Sequence, residues 1–227
     1  PEMSRGLGDV YKRQMRMLVD VAKAHDLFII GDEAYREFVY AGEPLQSMGQ
    51  FEDAAENVIV IDTVSKRFSA CGARIGCMIS RNKELMAQAM KYAQCRLSVP
   101  TLDQVAAAAL YTVGPDYFAA VREEYKRRRD TVVNKLHEIP GVVCECPRGA
   151  FYIMAALPVD DADAFQKWLL EEFEDNGDTV MFAPGEPFYG TPGKGKNEIR
   201  IAYVLKQADL ERAMDLLAKG IAAYNAR

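Results

Sequence analysis

The stretch Val58-Ile59-Val60-Ile61-Asp62-Thr63-Val64-Ser65-Lys66-Arg67-Phe68-Ser69-Ala70-Cys71-Gly72-Ala73-Arg74-Ile75-Gly76 decides how the rest of the chain is read. Its first four residues form an apolar, β-branched run that reads as a buried strand. The sequence then turns polar and places two hydroxyls (Thr63 and Ser65), a lysine (Lys66) and, further on, an arginine (Arg74). Strands of α/β sheets present their working residues at their carboxyl ends. A lysine set there, partly out of water and among other cations, presents its neutral amine more readily to a carbonyl. The hydroxyls and Arg74 suit a phosphate dianion.

An amine beside a phosphate seat is what a pyridoxal 5'-phosphate enzyme needs. A Ser-Lys pair after a strand is, taken alone, usually a solvated loop. The full pattern is more specific. Ser65-Lys66-x-Phe68 followed by Gly72-x-Arg74-x-Gly76 resembles the lysine signature of the class I/II aminotransferases, a group of fold-type I enzymes. The wording from Ser69 to Gly76 is most similar to the aspartate aminotransferase branch, although many relatives carry Trp where this chain has Ala73. The resemblance implies an α/β fold: part of a large domain with a mostly parallel sheet and helices, followed by a small α+β domain. It also implies that Lys66 carries the cofactor as a Schiff base and acts as general base and acid, with Thr63, Ser65 and Arg74 on the phosphate.

Composition sets outer bounds. The chain has 227 residues, 49% hydrophobic and 27% charged, ordinary for a globular protein. Its net charge of −5 argues against a general affinity for nucleic acid. No apolar run approaches bilayer length, and no secretory signal opens the sequence. The five cysteines lack a C-x-x-C spacing; an odd count without a signal fits a reducing cytoplasm. Cys144-x-Cys146 reads as packing on a strand, and His25 and His137 fall near helix ends, which argues against a His triad or metal site.

In order along the chain, residues 1–14 show no periodicity and read as partly non-native. Relatives carry Asn-Pro-x-Gly before a Val-Tyr pair. Gly8 and Val10-Tyr11 fit that register, but Arg5 and Gly6 stand where Asn and Pro belong. Relatives also have a long upstream stretch, so the chain reads as the carboxyl-terminal part of a longer enzyme. Met15 to His25 reads as a helix, with Met15, Leu18, Val19 and Ala22 on one face. Leu27 to Ile30 reads as a strand ending at Gly31-Asp32-Glu33-Ala34-Tyr35. Alone, that end is a turn with a helix cap. The resemblance implies that Asp32 faces the pyridine nitrogen and Tyr35 the phenolic oxygen. Glu33 and Arg36 read as surface groups.

Asp53 to Asn57 reads as a short helix, Ala73 to Ser80 as a strand, Asn82 as the cap of a helix to Cys95, and Thr101 to Val113 as a further helix. Pro115 opens a long helix to His137, and the domain boundary is expected there: residues 1–114 in the large domain, 115–227 in the small one. Lys126-Arg127-Arg128-Arg129, with Glu123 and Glu124 nearby, reads as a solvated helix face. Short strands follow (Val142–Cys144, Phe151–Ala155, Thr179–Phe182, Glu198–Val204), alternating with helices at Asp160–Glu174 and Lys206–Tyr224. Gly149-Ala150-Phe151-Tyr152 reads either as an aromatic strand or as the family segment over the substrate. Gly190 to Asn197 nearly matches a phosphate loop, but Asn197 lacks the magnesium-binding hydroxyl and a strand follows, so it reads as a turn.

In the last strand Arg200 shares a face with Ala202 and Val204, where a charge needs a partner. A structural carboxylate would serve, and so would a substrate carboxylate gripped by two parallel hydrogen bonds. The resemblance favours the substrate. It implies amino transfer between an L-amino acid (aspartate) and a 2-oxo acid (2-oxoglutarate), in a cytoplasmic homodimer. A C–S lyase, a decarboxylase or a cofactor-binding regulatory domain would keep the same lysine, carboxylate and phosphate groups.

Overall fold

The structure is a computed structural model and describes residues 12–40 and 46–227. The readings placed on Arg5, Gly6, Gly8, Val10 and Tyr11 lie outside the described residues. The described residues divide into two units, one ending at Ala120 and the other running from Val121 to Arg227. The division falls inside a long helix.

The first unit opens with helix α1 (Lys12–Ala24). Met15, Val19 and Ala22 recur at helical spacing and are buried. Met15 and Val19 share a cluster with Met48, Phe51, Ala54, Val58 and Val60. On the other side of α1, Arg16 and Lys23 converge on Asp53 at 2.9 and 2.8 Å. Their hydrogen bonds hold that carboxyl far below the usual carboxylate range. Asp53 itself lies in a single 3-10 turn, Glu52–Ala54, shorter than the expected helix.

Strands β1 (Ile29–Asp32), β2 (Val58–Thr63) and β3 (Gly76–Ile79) form a sheet in that order, β1 parallel and β3 antiparallel to β2. Strand β1 lies two residues later than expected, because Leu27 and Phe28 are exposed and the ladder begins where Ile29 faces Val58. Asp32 faces Ile61 across the parallel pair, so both strands end side by side. Helix α2 (Val64–Arg67) follows β2 directly. Helix α3 (Lys83–Arg96) is capped as expected, Asn82 Oδ1 accepting from Leu85 N at 2.9 Å. Helix α4 (Thr101–Leu110) and the first turns of α5 (Pro115–His137) complete the unit.

The second unit contains the rest of α5, β4 (Val143–Cys144), β5 (Tyr152–Ala156), α6 (Ala162–Glu171), β6 (Ala183–Pro184), β7 (Glu198–Ala202) and α7 (Gln207–Asn225). The strands pair antiparallel in the order β4-β5-β7-β6. One face of the sheet meets α5, α6 and α7 around Leu136, Ile153, Phe165, Leu169, Ile199 and Leu217.

Two expectations change here. The third strand falls at Ala183–Pro184, not at Thr179–Phe182, because Thr179 Oγ1 donates to Leu169 O and Phe182 N donates to Gln166 Oε1. Those bonds tie the earlier segment to α6. The basic run on α5 is only partly solvated. Arg127 and Arg128 pair with Glu124, but Arg129 is 9% exposed and donates to Asp130 and to Pro147 O. The turn from Gly190 to Lys196 precedes β7, and Gly193 and Gly195 both sit at positive φ. A Cβ at Gly195 would run into the Tyr189 ring.

Candidate active site

Two turns meet at the carboxyl ends of β1 and β2. After β1, Asp32 is exposed and its Oδ1 accepts from Ala34 N at 3.1 Å, which bends the chain toward Tyr35. Tyr35 is half-buried and meets Phe38 edge-on, with ring centroids 6.4 Å apart. After β2, Thr63 caps α2: its Oγ1 accepts from Ser65 N at 3.1 Å and lies 2.9 Å from Ser65 Oγ. The same hydroxyl donates to Ile75 O at 2.7 Å and closes the loop 64–74 at its base. Lys66 projects from α2, half-buried, with Nζ 6.0 Å from the Tyr35 ring centroid. Phe68 anchors the turn below it, packed by Tyr111 at 5.2 Å and Phe118 at 5.6 Å.

The loop after Lys66 is conformationally costly. Ser69 and Arg74 both adopt left-handed backbone, with φ of +52° and +53°. Each costs about 1 kcal/mol for a side chain with a Cβ. Arg74 is exposed, and its Nη1 donates to Cys71 O at 3.0 Å. Cys71 Sγ points back to Ser65 O at 3.1 Å.

Glu33 overturns the surface reading. It is fully buried, its Oε1 accepting from Ser47 Oγ at 2.6 Å and Met48 N at 3.0 Å. Arg36 Nη1 stands 3.6 Å from Glu33 Oε2 and 3.5 Å from Asp62 Oδ2. Asp62 Oδ2 also accepts from Arg67 Nη2 at 2.6 Å, with both side chains nearly buried. Neither Asp62 nor Arg67 stands out in the sequence. The available signal is an acid closing an apolar strand and an arginine next to Lys66.

Arg200 belongs to the second unit, in the middle of β7, facing Met154 of β5 and Ala183 of β6. Its guanidinium carbon lies 4.4 Å from the Phe188 ring centroid and 5.6 Å from that of Tyr152. Among the described residues no carboxylate comes within ion-pair distance of it. Phe188 was not legible as its neighbour in the sequence.

The first unit thus gathers an amine, a phenol, two hydroxyls and a carboxylate at two adjoining strand ends. That donor set fits an aldehyde cofactor bearing a ring nitrogen, a phenolic oxygen and a phosphate. Among the described residues no group of three or more His, Cys, Asp or Glu is placed to hold a metal, and no helix is long and apolar enough to cross a membrane.

Comparison with known proteins agrees. Residues 7–217 match the family described as aminotransferase class I and II, and the chain belongs to that family. Its members are pyridoxal-phosphate enzymes. Aspartate aminotransferase of Bacillus subtilis (strain 168) is 30% identical over 223 residues, covering 94% of this chain and 54% of that protein. An aromatic-amino-acid aminotransferase of Thermococcus litoralis is 30% identical over 213 residues, covering 92% and 52%. The crystal structure of an aromatic aminotransferase from Pyrococcus horikoshii OT3 superposes with a TM-score of 0.83 at 26% identity, covering 95% of this chain and 57% of that one. The chain spans about half the length of the relatives it matches.

Proposed function

We propose that this chain carries the cofactor lysine of an aminotransferase moving an amino group between an L-amino acid and a 2-oxo acid. The observation that carries the reading is Lys66 Nζ over the Tyr35 ring, one turn beyond the strand that runs parallel to the Asp32 strand. Lys66 holds the cofactor through its amine, Asp32 serves the ring nitrogen, Tyr35 the phenolic oxygen, and Ser65, Thr63 and Arg74 the phosphate. Bound there, pyridoxal phosphate supplies an electron sink for the bonds of the substrate α-carbon. Lys66 Nζ takes the proton from that carbon and returns one, as general base and acid. Arg200 grips the substrate α-carboxylate with two N–H groups, its guanidinium plane steadied by Phe188. Aspartate and 2-oxoglutarate are the proposed substrates, supported by the aspartate aminotransferase of Bacillus subtilis. The aromatic relative makes the donor a matter for direct test. A homodimer is proposed on the exposed apolar residues Tyr92, Leu97 and Leu102 of α3, α4 and their connection. A cytoplasmic setting is proposed on the five free cysteines.

The test is to incubate the chain with pyridoxal phosphate, reduce with borohydride and map the labelled peptide. Label is expected on Lys66 and lost in Lys66→Ala; label spread evenly over the lysines would remove the reading. Glutamate formed by amination of 2-oxoglutarate, with aspartate compared against phenylalanine as the amine source, then identifies the preferred donor.

A further inference from the structure

Behind the lysine turn runs a chain of alternating charges that links it to the other turn of the site. Glu33 Oε2 stands 3.6 Å from Arg36 Nη1, and Arg36 Nη1 stands 3.5 Å from Asp62 Oδ2. Asp62 Oδ2 accepts from Arg67 Nη2 at 2.6 Å, and Arg67 Nε lies 3.7 Å from Glu37 Oε1. The members at 33, 36 and 37 belong to the turn that carries Asp32 and Tyr35. Those at 62 and 67 bracket Ser65 and Lys66. Asp62 is the junction. Its Oδ2 takes both guanidinium groups, while its Oδ1 accepts from Thr63 N at 2.7 Å, at the cap of α2.

Such an arrangement is a poor way to gain stability. The side chains of Glu33, Asp62 and Arg67 are 0%, 12% and 11% exposed, so each gives up most of its hydration. Attraction in a buried ion pair roughly offsets that loss, and apolar replacements of similar size are commonly as stable. What the pairs do supply is direction. Arg67 follows Lys66 immediately, and fixing its guanidinium on Asp62 fixes the rotation of α2 about its axis. That rotation sets where the Lys66 amine points. Arg36 makes the same carboxylate the reference for Tyr35, one residue before it. Reaction between oriented groups falls steeply with displacements near 1 Å.

We infer that Asp62 and Arg67 are positioning residues: through their ion pair, and through Arg36, they hold the Lys66 amine in register with the Asp32–Tyr35 turn. The inference rests on the reading of Lys66 as the cofactor lysine, and one experiment separates the two. The chain and its variants are incubated with pyridoxal phosphate, reduced, and the fraction of label on Lys66 is measured beside the thermal midpoint. Arg67→Met and Asp62→Asn are each expected to lower labelling of Lys66 roughly tenfold relative to the other lysines. Because the two act as one pair, Asp62→Asn with Arg67→Met should be no worse than the worse single variant. Its midpoint should stay within about 5 °C of the parent, since the Asp62–Arg67 pair leaves whole and Arg36 keeps Glu33. Arg67→Lys, which keeps the charge and loses the fork, should recover part of the labelling. Unchanged labelling of Lys66 in both single variants would overturn the inference. So would additive losses in the double variant, or losses that follow the midpoint alone. A parent chain without preferential label on Lys66 would instead defeat the functional reading, and this inference with it.

Discussion

Residues 121–227 close one continuous core in which Phe165 touches the rings of Trp168, Phe182 and Tyr224. Residues 12–120 hold most of their buried apolar residues in two small clusters, one under α1 and β2 and one around Phe68. Helix α3 buries no residue at all, and Tyr92 and Leu102 are 79% and 84% exposed. The comparison separates two tasks. The second unit has the burial expected of a self-sufficient α+β layer. The first holds the lysine turn yet leaves wide apolar surface uncovered, and polar bonds fix its functional end.

The comparison can be broken most directly at its centre. Phe165→Ala is expected to cost about 4 kcal/mol, read as a fall in the urea midpoint of Trp168 fluorescence. A cost near that of a surface exchange would deny the unit a single core. Next in size is Glu33→Ala, expected to cost about 3 kcal/mol. It strands the Met48 N–H and the Ser47 hydroxyl and removes one of the two carboxylates beside the partly exposed Arg36. Hydrogen exchange of the β1 and β2 amides would register it; no change there would mean that polar bonds do not fix this end.

A smaller effect sharpens the contrast through pH. Asp161 caps α6, and the N–H groups of Ala164 and Asp163, together with Lys196, hold its carboxyl below the ordinary value. Asp161→Ala should cost about 1 kcal/mol at neutral pH. The folded carboxyl titrates lower than the unfolded one. Its contribution is therefore full above the ordinary aspartate range near about 4 and fades as pH falls through the folded value. The gap between parent and variant should narrow on acidification, while the difference between Asp161→Asn and Asp161→Ala should be indifferent to pH. Smallest of all, Tyr92→Ala should stay within about 0.5 kcal/mol in thermal melts of the dilute, monomeric chain and cost more at concentrations where the proposed homodimer covers α3; an equal cost at both would remove α3 from that interface.

What the sequence disclosed follows range of interaction. The apolar run of β2, the Asn82 cap and the Pro115 start of α5 are written in neighbouring residues, and each stands where expected within a residue or two. The lysine turn was legible for the same reason: Thr63, Ser65, Lys66 and Arg74 are one local pattern. Glu33 escaped because its partners come from Ser47 and Met48, and Arg129 because Pro147 O lies 18 positions away. No local periodicity announces those meetings. Phe188 against Arg200 joins a loop residue to a strand residue, which no spacing rule connects.

At Arg74 the backbone takes a path that glycine would follow freely. Arg74→Gly is thus the exchange in this loop that should raise heat resistance while stripping out its guanidinium. Selection of this protein for robustness alone would drift toward that glycine, and a hardened variant would emerge without the guanidinium proposed to hold the phosphate.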